Sequence, residues 1–179
     1  MQLSRQAPPT GQPVVAQTIL GIDPSLRGTG YGVIIKQGSQ TRVVTYGVIK
    51  NGAKLGQSEC LSAIHAAITA VINENKPDVA AVEGVIYLQN FQTAITLGAA
   101  RGAALLAIAQ AGIMAHEYAP RRIKAATTGQ GAAQKYQVSF MMRALLGLKE
   151  NPPPDAADAL AVALTHAQHN QALKPAKQI

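Results

Sequence analysis

The stretch GIDPSLRGTGYGVI, residues 21–34, decides how the rest of the chain is read. It predicts a short apolar strand ending on a carboxylate, Asp23, then a tight turn permitted by Gly28 and Gly30, then a returning strand. Asp-Pro is also a common turn opener whose side chain binds nearby backbone N–H groups. A purely structural role for Asp23 therefore stays open until other carboxylates converge on it.

Length and composition favour one globular domain. The chain has 179 residues and a core built from small aliphatic side chains, with two Phe and no Trp. We expect a disordered Gln- and Pro-rich tail at 1–17, a single domain at 18–169 and a flexible basic tail at 170–179. The single cysteine, Cys60, excludes an intramolecular disulfide and favours a reducing compartment. We expect no membrane span, because Arg101 interrupts the longest apolar run.

Basic residues are concentrated in one interval of the chain. Sixteen Lys and Arg stand against nine Asp and Glu, a net charge of +7. No carboxylate lies between Glu117 and Glu150, and the basic side chains of that interval are Arg121, Arg122, Lys124, Lys135, Arg143 and Lys149. This distribution indicates a surface for a polyanion, with nucleic acid as the default candidate. A solvated basic face without a ligand is the alternative.

Hydrophobic periodicity predicts an α/β fold. Three strands joined by short links form an antiparallel meander, and a helix over 54–75 then crosses to a buried strand at 79–83. The pattern continues with a helix over 93–111, a strand over 113–118 and helices over 121–128, 134–148 and 155–169. The expected architecture is a five-stranded mixed sheet, three antiparallel strands followed by two parallel ones, flanked by helices.

Three further carboxylates are candidates to join Asp23. Glu83 ends the fourth strand, and parallel neighbours would put Asp23 and Glu83 side by side at one rim of the sheet. Asp155 and Asp158 lie on one face of the first turn of the last helix, although capping would explain Asp155 alone. Four clustered carboxylates need cations, and oxygen ligands select Mg²⁺ or Mn²⁺. Two such ions beside a basic flank would suit phosphodiester hydrolysis.

The helix over 93–111 is apolar nearly all round, so something must cover its outer face. Gly98 and Gly102 would let another helix approach closely. A second copy of the chain, related by a two-fold axis, is one candidate. The chain's own C-terminal helices are the other.

Five motifs resemble, in order and spacing, those of RuvC-type crossover junction endodeoxyribonucleases: GIDPSLRGTGYGVI, VAAVEGVIYLQN, LGAARGAALLA, EYAPRRIKAATTGQG and PDAADALAVALTHA. The resemblance covers about Ile19 to Ala167. It implies a ribonuclease H-like fold, a homodimer and Mg²⁺-dependent paired nicking of strands of like polarity at four-way (Holliday) DNA junctions in recombination and repair. It also implies 5′-phosphate and 3′-hydroxyl ends, a bacterial cytoplasmic location and a branch-migration motor as partner.

The resemblance also assigns roles to residues. The family's four catalytic acids match Asp23, Glu83, Asp155 and Asp158, and two basic residues that work near the scissile phosphate match Lys124 and Lys135. We expect the neighbouring basic residues Arg121 and Arg122 to contact DNA as well.

The chain departs from the family at two positions. Ser25 stands where the family usually has Gly, beside the turn that follows Asp23. Ile86 stands where the family often has a Phe that stacks on a base, so the adjacent Tyr87 becomes the candidate for stacking.

Two other functions compete with the nuclease interpretation. Gly-Ile-Asp before a glycine turn also resembles the phosphate loop of sugar kinases and actin-like ATPases, which need a second related domain that this chain has no room for. A junction-binding protein without catalysis would use the basic surface alone and leave the four acids dispensable.

Overall fold

The structure of the chain is a computed structural model that describes residues 15–85, 90–129, 131, 134–169 and 177–179. In chain order its elements are β1 (Gln17–Asp23), β2 (Gly28–Gln37), β3 (Gln40–Lys50), α1 (Gln57–Asn75), β4 (Val79–Glu83), α2 (Phe91–Gln110), β5 (Met114–Tyr118), α3 (Pro120–Thr128), α4 (Lys135–Leu146), α5 (Pro154–Ala167) and β6 (Lys177–Gln178).

These elements form one mixed sheet with strand order β3-β2-β1-β4-β5-β6. β1 pairs antiparallel with β2, and β2 with β3, whereas β4 is parallel to both β1 and β5. The predicted sequence of three antiparallel and two parallel strands is therefore confirmed. Its physical origin is the crossover through α1, which returns the chain to the sheet in the direction of β1.

The sheet has six strands, and the prediction of five was wrong at its edge. Lys177–Gln178 pairs antiparallel with His116 and Glu117 of β5, and the Ile179 N–H donates to the carbonyl of Ala115 at 3.0 Å. The predicted flexible tail at 170–179 thus ends in a short strand, which satisfies backbone groups that an edge strand would leave open. Residues 1–14 and 170–176 lie outside the described part of the chain.

Alternating side chains of the central strands divide the core into two halves. Ile19 of β1 faces the layer of α3, α4 and α5, and its neighbours Leu20 and Ile22 belong to the half that contains α1 and α2. All three are fully buried. The alternation follows from the two-residue period of a strand covered by helices on both faces.

Helix α5 lies so close to β1 and β2 that only glycine fits beneath it. A Cβ atom on Gly21 would stand 2.1 Å from the Ala159 carbonyl oxygen, and one on Gly30 only 1.9 Å from the Asp155 carbonyl oxygen. Gly28 and Gly30 lie within β2 and have no positive φ, so the prediction that they make the turn after Asp23 was wrong. Their role is to let α5 approach the sheet.

Candidate active site

Asp23 and Glu83 end two neighbouring parallel strands. Ile22 lies opposite Val82 in the register of β1 and β4, so the two carboxylates that follow emerge side by side at one rim of the sheet. Their carboxyl groups are hydrogen-bonded to each other. Carboxyl ends of adjacent parallel strands meet at the same edge, which is where open α/β sheets hold ligands.

The first turn of α5 brings two more carboxylates to that rim. Asp23, Asp155 and Asp158 each offer an oxygen, and these oxygens lie within 4.8 Å of one another. The helix begins with Pro154 in its first turn, and its N-cap residue, Pro153, makes no side-chain cap. Because Asp155 lies inside the helix, its interpretation as the cap was wrong, and both aspartates are available to the cluster.

Lys135, the first residue of α4, neutralises part of this charge. Its Nζ lies 3.5 Å from Asp155 Oδ1 and 3.5 Å from Asp158 Oδ2. Partial burial lowers the pKa of Lys135, but the carboxylates of Asp158, Asp155 and Asp23 outweigh that effect and raise it overall. The lysine is therefore held protonated beside the acids while most of its side chain stays open to solvent.

The acids and lysines line a cavity of about 200 Å³. Its polar wall consists of Asp23, Glu83, Lys124, Lys135 and Asp158, and its apolar wall of Pro120, Ile123 and Val138. The sequence interpretation of Val138 as a core residue is confirmed, but it did not predict that Val138 also borders this cavity. Val138 lies three residues after Lys135, so both are on one side of α4. This spacing could have indicated that Val138 borders the site.

Burial raises the pKa of Asp23 to about 9, together with its hydrogen bond to Glu83 and the charges of Glu83 and Asp158, while Lys135 opposes the shift. Burial also raises the pKa of Asp158, against the effect of Lys135. Full ionisation of the cluster is therefore unfavourable without further positive charge. A divalent cation would supply that charge, and an all-oxygen donor set fits a hard ion such as Mg²⁺ or Mn²⁺.

The turn after Asp23 is held by hydrogen bonds between the Thr29 side chain and the Ser25 backbone. The Thr29 hydroxyl is fully buried, donates to the Ser25 carbonyl at 2.5 Å and accepts from the Ser25 N–H at 3.1 Å. The Ser25 residue lines a separate open cleft of about 400 Å³, together with Arg27 and Thr96. The departure from glycine at Ser25 therefore leaves the turn intact and faces away from the acidic cavity.

The remaining predicted DNA contacts are placed differently from one another. Lys124 lines the acidic cavity, and Arg121 is exposed on α3. The Arg122 guanidinium lies 5.3 Å from the centre of the Tyr118 ring and is hydrogen-bonded to His169 Nδ1. Arg122 therefore ties α3 to the end of α5. Ile86 and Tyr87 lie outside the described residues.

One face of α2 is left uncovered by the described part of the chain. Phe91, Ile95 and Leu106 are 79%, 47% and 52% exposed, and Gly98 and Gly102, on the same face, have nothing within 4 Å of a Cβ position. Helix α5 covers the opposite side of the sheet, so it does not supply the predicted cover. By length and composition α2 could also cross a membrane, a test that core helices of other proteins pass.

Comparison with protein families identifies similar chains. The model of the family described as crossover junction endodeoxyribonuclease RuvC matches residues 19–166. The RuvC protein of Akkermansia muciniphila is 49% identical over 148 residues, which cover 83% of this chain and 89% of that protein. The RuvC protein of Halorhodospira halophila is 50% identical over 154 residues, covering 86% and 92% respectively.

Solved structures are similar over nearly the whole chain. Thermus thermophilus RuvC in complex with a Holliday junction substrate superimposes with a TM-score of 0.82 at 36% identity, over 91% of this chain and 99% of that one. The yeast mitochondrial Holliday junction resolvase Ydc2 superimposes with a TM-score of 0.57 at 12% identity, over 83% and 78%. The second likeness shows a shared fold.

Proposed function

This chain belongs to the RuvC family of crossover junction endodeoxyribonucleases, and from that premise we propose that Asp23, Glu83, Asp155 and Asp158 form its catalytic centre. The chain is a metal-dependent nuclease that binds and resolves four-way DNA junctions in recombination and repair. The observation that carries the site assignment is the convergence of Asp23, Asp155 and Asp158 oxygens within 4.8 Å beside Glu83.

The four acids hold Mg²⁺, two ions per site, and Mn²⁺ can replace it. The donor set supports this choice because every candidate ligand is a carboxylate oxygen. When bound, the metal activates water and stabilises charge on the reacting phosphate and the leaving 3′ oxygen. The protein's part is to hold the carboxylates close together at the strand ends and the first turn of α5, where a bound cation would favour their ionised form.

Lys124 and Lys135 bind the scissile phosphate from the polar wall of the cavity. Both line it, and Lys135 already lies 3.5 Å from two of the acids. Arg121 and, more weakly, Arg122 contact the flanking backbone, and Tyr87 stacks on a base. Paired nicks in strands of like polarity leave 5′-phosphate and 3′-hydroxyl ends.

The active protein is a homodimer that pairs the uncovered faces of α2. The exposed Phe91, Ile95 and Leu106 and the open space at Gly98 and Gly102 support a close helix contact. Two copies would present two sites to a two-fold symmetric junction. The nuclease domain spans about 18–169, acts on chromosomal DNA in the cytoplasm and receives junctions from a branch-migration motor.

Cleavage of a synthetic mobile four-way junction tests the site. Asp23→Asn and Glu83→Gln abolish cutting in Mg²⁺ but keep junction affinity in Ca²⁺, because each removes a charge from the cluster and leaves the basic surface unchanged. Asp78→Asn is the matched control, since Asp78 accepts a hydrogen bond from the Thr18 N–H far from the cavity. Full cutting by Asp23→Asn would instead favour a site elsewhere, and junction binding without any cutting by the wild type would favour a binding protein.

A further inference from the structure

Helix α4 begins at Lys135, which lines the acidic cavity, and presents aromatic rings to solvent on another face. Tyr136 is 68% exposed and Phe140 is 50% exposed. They are one helical turn apart and therefore lie on the same face. Exposed rings are notable in a chain with only two Phe, five Tyr and no Trp. Burying these rings would stabilise the fold. Packing energy therefore does not explain why they are exposed.

A cation completes this face. The Arg143 guanidinium lies 5.1 Å from the centre of the Phe140 ring, one turn further along the helix. Such a pair keeps the ring and the planar guanidinium stacked and ready to receive another flat group. The interval from Glu117 to Glu150 that contains α4 has no carboxylate between its ends, so the surroundings favour an anionic ligand.

The same helix is fixed relative to the acids. Val138 and Met142 are buried on its inner face, and the Ser139 hydroxyl donates to the Pro152 carbonyl at 2.7 Å, just before α5 begins. Lys135 at its first turn contacts two of the carboxylates. The aromatic face therefore has a fixed position relative to the acids, which a binding surface needs.

We propose that Tyr136, Phe140 and Arg143 form a stacking surface for unpaired nucleotides of the strand that is being cut. The proposal rests on the proposed function, because it takes the acidic cavity as the place of cutting. Nucleobases are flat and apolar on their faces and carry phosphates between them, so they match rings interleaved with a guanidinium. The surface would hold nucleotides next to the scissile phosphate as they leave the duplex at the crossover.

Junction affinity of ring-deleted variants tests the surface. Tyr136→Leu/Phe140→Leu lowers affinity at least about fivefold, because stacking on each base is lost. The slope of log affinity against log salt stays that of the wild type, since no charge is removed, whereas Arg143→Gln makes that slope shallower. Tyr136→Phe keeps its ring and wild-type affinity. Leu145→Ala is the matched control, an apolar side chain of the same helix that is 46% exposed on another face.

A fluorescent base analogue beside the cut position gives an independent signal. In the free junction the analogue is quenched by its stacked neighbours; when it leaves the duplex on binding, it stays quenched on the rings of the wild type and becomes brighter on the double variant. Unchanged affinity and quenching in the double variant would overturn the proposal, as would an equal loss in Leu145→Ala. A change in the sedimenting mass of the double variant would overturn it in favour of a protein contact. Wild-type cutting in the same reactions tests the proposed function separately.

Discussion

The two ends of helix α5 differ in how they treat their polar side chains. Its middle is a run of buried small side chains on β1 and β2. At its first turn Asp155 and Asp158 meet other carboxylates, and at its last turn His166 Nδ1 is paired with the buried Tyr118 hydroxyl at 2.9 Å. Acidic side chains cluster at the first turn, whereas the histidine at the last turn has a hydrogen-bond partner.

The difference shows in the protonation of each end. Burial raises the pKa of Asp23 to about 9, with the neighbouring carboxylates adding to the shift. Burial lowers the pKa of His166 to about 4, helped by His116 and His169. At neutral pH His166 is therefore uncharged, and Asp23 retains its proton until a cation or a higher pH favours the carboxylate. Function and stability are therefore separable along one helix.

The largest expected effect is on cutting. Asp158→Asn lowers the single-turnover cleavage rate by roughly a thousandfold or more, about 4 kcal/mol, because it removes one of the proposed metal ligands. His166→Gln, at the other end, leaves the rate at pH 7.5 within a few-fold. Rates are measured with saturating junction DNA in Mg²⁺. Equal losses in both variants would mean that the two ends are not separable.

The next largest expected effect is on stability, through the close packing of the first turn of α5 against β2. Gly30→Ala destabilises the fold by roughly 3 kcal/mol or more, because its Cβ would stand 1.9 Å from the backbone oxygen of Asp155, which cannot move freely. Gly52→Ala, with nothing within 4 Å, is the control and changes stability little. Denaturant midpoints measure both. A wild-type midpoint for Gly30→Ala would show that α5 can shift away from the sheet.

The histidine end predicts a pH dependence of stability. Below about pH 6.5 the unfolded chain protonates His166, while the folded protein, with its pKa near 4, does not. The free energy of unfolding therefore falls as pH drops from 7 to 5, by roughly 2 kcal/mol from this group. Denaturation of wild type and His166→Gln at both pH values isolates the effect. Identical pH slopes would exclude His166 as its source.

The acid end predicts a smaller effect of opposite sign. Because the folded pKa of Asp23 lies above its unfolded value of 3.8, its contribution weakens the metal-free fold increasingly as pH rises toward 9. Asp23→Asn therefore stabilises the protein in EDTA at pH 8, by roughly 1 kcal/mol. Thermal unfolding with and without Mg²⁺ measures it. Destabilisation in EDTA would mean that the carboxylate is needed for folding.

The sequence was most informative where local chemistry is strong. Strand-end acids such as Asp23 and Glu83 stand out because charge is costly in apolar runs, and their pairing follows from a parallel register. The sequence was least informative about long-range closeness. Gly30 was predicted to be a turn residue, because no local pattern shows which helix will lie above a strand. The strand β6 was missed because two residues are too few to show a hydrophobic alternation.

The sequence by itself determined the strand and helix order, the family and the four acids, because periodicity and motif spacing are properties of the chain alone. Only the tertiary structure decided the role of the residues around them. It placed Ile123 and Val138 as the apolar wall of the acidic cavity, tied Arg122 to His169, and left the rings of α4 in solvent. These depend on distances between elements far apart in sequence, which packing sets and local patterns do not contain.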